Sequence, residues 1–100
     1  MTTEKFSMTE QQMEKVIELL NSNGYKARKS KWETEIVITS RPSERYVTLE
    51  ISEVNGVYIS TTGTWLDEIG KAELYTKELI AASKIMLEIH RITGFGKLIE

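Results

Sequence analysis

The sequence predicts an α+β fold: a single two-layer domain in the order α-β-β-β-β-α, with a long C-terminal helix packed on a small antiparallel sheet. Three observations predict it. They are a doubly signalled helix start near the N-terminus, two-residue alternation from Tyr25 to Ile59, and helical periodicity from about Lys71 to Thr93. One hundred residues leave room for one domain, 1–100. With 40% hydrophobic and 28% charged residues, the composition is that of a folding chain, not a disordered one.

Ser7 with Glu10, and Thr9 with Gln12, both have capping-box spacing. Thr9 is the better N-cap, because Met8 and Met13 then stand at the positions of a hydrophobic staple and Met13, Val16, Ile17 and Leu20 continue one face. Gly24 ends the helix by accepting a positive φ, and Tyr25 folds back on it. Tyr25 and Ala27 then alternate with Lys26 and Arg28, a turn follows near Ser30 to Trp32, and Ile36 and Ile38 share a face of the next strand, Thr34 to Thr39.

Beyond the loop with the only proline, Pro42, the residues Val47, Leu49 and Ile51 resume the alternation, and Val57 and Ile59 follow Asn55-Gly56. A two-residue turn would mix apolar and polar residues on both faces. A three-residue loop, Val54 to Gly56, pairs Glu53 with Val57 and Ile51 with Ile59, and so gathers Leu49, Ile51, Val57 and Ile59 on one face. The other face carries Val37, Tyr46, Thr48, Glu50, Ser52, Tyr58, Ser60 and Thr62, and is expected to meet solvent or a partner.

The long helix is too apolar for a single sheet. At about 100° per residue, Glu73, Lys77, Lys84, Glu88 and Arg91 form one charged arc, which must face water, and apolar residues fill nearly all the rest, interrupted only by Glu78 and Lys71. One sheet covers an apolar stripe of a little over ~100°. The excess is covered either by Phe6, Trp65 and the tail 95–99, or by a partner. The partner-binding candidates are Ile80 and Leu87 on one side, or Leu74, Ile85 and Ile92 on the other. Asp67 and Glu68 are expected to complement the helix dipole.

No arrangement of residues fixes a chemistry, so no catalytic residue, cofactor or metal is expected. The absence of cysteine removes disulfides, thiolate metal sites and cysteine nucleophiles, and fits the cytoplasm. The single histidine, His90, lies among apolar helix neighbours and reads as structural. Glu33 and Glu35 share a strand face at a spacing ordinary for a chain with 15 acids. Gly94-Phe95-Gly96-Lys97 lacks the glycine spacing, following Ser or Thr, and helix of a phosphate loop. Neither a leader segment nor a membrane span is expected.

The net charge of −2 supplies no whole-chain field for nucleic acid. Between Lys26 and Arg45, however, the basic residues Lys26, Arg28, Lys29, Lys31, Arg41 and Arg45 outnumber Glu33, Glu35 and Glu44, and Trp32 is interleaved. Such a hairpin can hold an anionic partner, or its lysines can protect an edge strand.

Read as helix, three antiparallel strands and helix, the element order resembles that of double-stranded-RNA-binding domains. Those domains place a lysine cluster at the start of their second helix and a Gly-Pro-x-His loop between strands. Here the helix opens with Asp67, Glu68, Lys71 and Glu73, and no histidine stands near Pro42, so RNA binding is not carried over. Small phage-encoded inhibitors, including some anti-CRISPR proteins, are similar in size and element order, an analogy of fold alone. The expected function is a non-enzymatic protein-binding module: an inhibitor, adaptor or oligomerisation protein whose partner is another protein or a second copy. Nucleic-acid binding through the basic hairpin is the alternative.

Overall fold

In the computed structural model the chain forms α1 (Glu10–Ser22), β1 (Lys26–Lys29), β2 (Ile36–Ser40), β3 (Val47–Ser52), β4 (Gly56–Thr61) and α2 (Ile69–Thr93). The structure describes residues 8–31, 35–52, 56–63 and 65–94. Phe6, Ser7, Trp32, Glu33, Thr34, residues 53–55 and the tail 95–99 lie outside them.

Thr9 caps α1. Its Oγ1 accepts from the Gln12 N–H at 3.2 Å, and Gln12 Oε1 accepts from the Thr9 N–H at 3.0 Å. Met13, Val16 and Leu20 are buried along one face, and Met8 packs against the core. The helix closes at Gly24, where φ is +88° and the Tyr25 N–H donates to the Leu20 carbonyl at 3.1 Å. A Cβ at position 24 would stand 3.3 Å from Pro42 Cβ, so glycine also admits the loop that precedes β3.

The strands form two antiparallel hairpins in separate two-stranded sheets, β1-β2 and β3-β4. The reason lies at their edges, where side chains stand in the place of a neighbouring strand. At the open edge of β3, the Leu49 N–H donates to Glu44 Oε2 at 2.8 Å and the Leu49 carbonyl accepts from Arg41 Nη1 at 2.5 Å. One turn of the pleat earlier, the Val47 N–H donates to Glu78 Oε1 at 3.1 Å. On β1, the side-chain amide of Asn21 takes both backbone groups of Ala27, at 2.8 and 3.3 Å. Backbone groups satisfied in this way no longer require another strand.

The β3-β4 register pairs Leu49 with Ile59, Ile51 with Val57, and Ser52 with Gly56. The expected face is formed, but the pairing is two residues away from the one the sequence suggests. The observed register makes two direct apolar pairs, whereas Ile51 opposite Ile59 makes one and leaves Leu49 facing Thr61. Gly56, with φ +72°, begins β4 and does not end the loop. Tyr46 is a second correction. It is buried, not on the outer polar face, because it precedes β3 and its backbone is drawn toward α2. Tyr58 is exposed as the alternation predicts.

Helix α2 packs on β3, β4 and α1, while α1 lies against β1. Its buried residues Ala82, Ile85 and Ile89 join Val16, Leu20, Tyr25, Tyr46, Val47 and Leu49 in one core. Gly94 closes the helix in the left-handed region, its N–H donating to the His90 carbonyl at 2.7 Å. No helix among the described residues is long and apolar enough to cross a membrane.

Candidate interaction surface

Helix α2 positions the surface, and a buried carboxylate fixes α2. Glu78, only 6% exposed, faces the start of β3. Its Oε1 accepts from the N–H groups of Tyr46 at 2.7 Å and Val47 at 3.1 Å, and its Oε2 from the Arg45 N–H at 2.9 Å and Ser43 Oγ at 3.3 Å. Burial alone would raise the pKa of this carboxyl. The three backbone donors and Ser43 outweigh it and hold the group below its ordinary value. Glu44 forms a second buried centre, with Oε2 accepting from Tyr25 Oη at 2.9 Å and Oε1 from Arg41 at 2.9 Å. Burial, reinforced by the hydrogen bond to Glu44 and its charge, pushes the Tyr25 phenol far up; Arg41 opposes this. Every oxygen of both carboxylates is engaged, so the two centres hold the loop between β2 and β3 in place and offer no free group to a substrate.

With α2 fixed in this way, its circumference divides cleanly. Glu78, Ala82, Ile85 and Ile89 face inward. Leu74 and Ile92 are half-buried and packed against the core, so the Leu74, Ile85 and Ile92 side proposed for a partner is instead occupied by this chain's own core. Ile80 and Leu87 behave differently, at 51% and 48% exposed, and Ile69, in the first turn, is 79% exposed. At about 100° per residue these three fall within about 20° of one another and about 180° from the buried centre. Helix α2 is therefore apolar on two opposite faces.

Ile69 and Ile80 line one shallow depression with Ala72, Thr76, Glu73 and Lys77, so the two isoleucines border one patch of the outer face, or outer ridge. Beside the ridge, Glu73, Lys77, Lys84 and Arg91 are exposed and Glu88 half-exposed, so the charged arc meets water as expected. Arg91 pairs with Glu88, and Lys71 with Asp67 at 2.9 Å. Trp65 and Leu66, in the segment before α2, are exposed and do not cover the ridge.

Several of the basic hairpin residues are engaged within the chain. Lys29 lies 3.2 Å from Glu10 and 3.4 Å from Glu14 of α1, which favour its charged form and raise its pKa. Arg41 is occupied by Glu44, the Leu49 carbonyl and Glu50. Arg45 lies over the Tyr46 ring, 5.8 Å from its centroid. Arg28 donates to the Lys29 carbonyl at 3.1 Å. Lys26 and Lys31 are exposed, and Trp32 is outside the described residues.

Sequence reasoning missed the role of Glu78, although a signal was present: a single acid within the apolar sweep of the helix, far from the charged arc. Asn21, Arg41 and Glu44 carried no such signal, because their backbone partners, Ala27 and Leu49, are brought to them by the course of a turn or loop that no periodic pattern specifies. Comparison of the chain with family models, curated proteins and solved structures finds no match.

Proposed function

We propose that this chain is a non-enzymatic protein-binding module, serving as an inhibitor, adaptor or oligomerisation protein, and that it acts through the outer ridge of α2. The carrying observation is the alignment of exposed Ile69, Ile80 and Leu87 on the side of the helix opposite its own core. Exposed apolar residues scattered singly need no explanation, but an ordered row on a rigid helix is the geometry of helix-mediated recognition. The lack of cysteine agrees with a reducing compartment such as the cytoplasm. Nucleic-acid binding draws less support, because carboxylates already neutralise Lys29 and Arg41.

A photo-crosslinking side chain at position 87, in the cells that make the protein, tests the reading. Protein adducts are expected there and at position 80, and not at Lys15 on the exposed side of α1. Absence of adducts at both ridge positions overturns the proposal.

A further inference from the structure

The outer ridge of α2 has a symmetry that its composition alone does not reveal. The exposed positions Ile69, Thr76, Ile80 and Leu87 read the same forwards and backwards in spacing: seven residues, four, then seven. Two antiparallel copies of α2 can therefore lie ridge to ridge, with Ile69 opposite the partner's Leu87 and Thr76 opposite the partner's Ile80. We propose that the ridge binds a second copy of this chain in that antiparallel arrangement. The inference rests on the protein-binding reading above and names its partner.

Charge supports the same register. The two-fold axis of an antiparallel pair runs across both helices, so the charged flank of one copy lies on the same side as that of the other. In the ridge register Glu73 then falls beside the partner's Lys84, and by symmetry Lys84 falls beside the partner's Glu73. Both residues are exposed. Lys77 lies farther round the helix, one turn after Glu73. A parallel pair sets each charged flank against the opposite, uncharged flank of its neighbour, which holds Ala72, Thr76 and Ser83, and makes no such ion pair.

Shape is compatible as well. The β3-β4 sheet and α1 pack on the inner face of α2, so a copy approaching the outer face meets the helix first. The ridge from Ile69 to Leu87 is about 27 Å long at 1.5 Å per residue. A contact of that length and one helix wide is at the small end of specific interfaces, and the dimer is expected to dissociate as the protein is diluted.

Sedimentation over a wide concentration range tests self-association. The expected mass rises from the 11.5 kDa of one chain to twice that value. Glu73→Lys and Lys84→Glu should each weaken association by several-fold, and the two together should restore it, with unchanged melting temperatures in dilute solution, where the monomer prevails, confirming that all three variants fold. Orientation is read separately, since the chain has no native cysteine. An Ile69→Cys chain mixed with a Leu87→Cys chain should form the mixed disulfide in preference to either homodimer. A single-chain mass at the highest concentration overturns the dimer. If ridge adducts to other proteins persist in cells, the protein-binding reading survives that result. A dimer with preferential 69-to-69 cross-linking overturns the antiparallel register.

Discussion

A carboxylate removed from water is costly unless its oxygens are fully engaged, and Glu78 meets that condition with three backbone N–H groups and Ser43 Oγ. Glu78→Ala strands those N–H groups at the start of β3 and should cost about 3–5 kcal/mol, measured as a lower urea midpoint. Glu78→Gln retains one acceptor oxygen but turns an amide toward donors, and should cost about 2 kcal/mol or more. The pH dependence has a definite sign. The folded pKa of Glu78 lies below the unfolded one, so the unfolded state binds the proton more tightly. This stabilisation is complete above the unfolded value and is lost as pH falls through the folded one. The wild type should therefore lose stability on acidification more steeply than Glu78→Gln, as read from melting temperatures at several acid pH values. Tyr25→Phe, which removes one hydrogen bond to Glu44 without stranding a backbone group, should cost only about 1 kcal/mol.

Among the elements, helix ends were the most legible part of the sequence, because a cap is a local event whose residues lie within a few positions of one another. Thr9 with Gln12, and Gly24 followed by Tyr25, show this at α1. The strand faces were legible for the same reason, since alternation is local. The hairpin register and the division into two sheets were not, because neither follows from alternation: the register depends on which residues face one another, and the open edge of β3 is filled by side chains from outside the strand, Glu44 and Arg41 at Leu49 and Glu78 at Val47. Gly24 is where the two kinds of information meet. Gly24→Ala suffers both its φ of +88° and the 3.3 Å approach to Pro42 Cβ. Gly94→Ala has a similar φ of +74° and nothing within 4 Å. The first substitution should cost about 2 kcal/mol or more and the second about 1, a difference that thermal unfolding resolves.

For the whole molecule, the two apolar faces of α2 divide stability from association. The candidate site was half legible: the helical wheel showed an excess of apolar surface, but from sequence the two sides were equivalent. What distinguishes them is Glu78, whose bond to the start of β3 turns Ala82, Ile85 and Ile89 inward and leaves Ile69, Ile80 and Leu87 outside. Substitutions on the two faces should therefore separate the two properties. Ile89→Ala, at a position 1% exposed, deletes buried methyl groups and leaves a cavity, and should cost about 2–5 kcal/mol. Ile80→Ala, on the outer ridge, removes little buried surface from the monomer and should cost less than about 1 kcal/mol. In a dimerising protein the ridge carries a further signature. Melting temperature should rise with protein concentration in the wild type, because association draws the folded monomer into the dimer. That dependence should vanish in an Ile80→Glu, Leu87→Glu double variant whose dilute-solution melting temperature matches that of the wild type. A concentration dependence that survives the double variant would place the self-association surface elsewhere on the molecule.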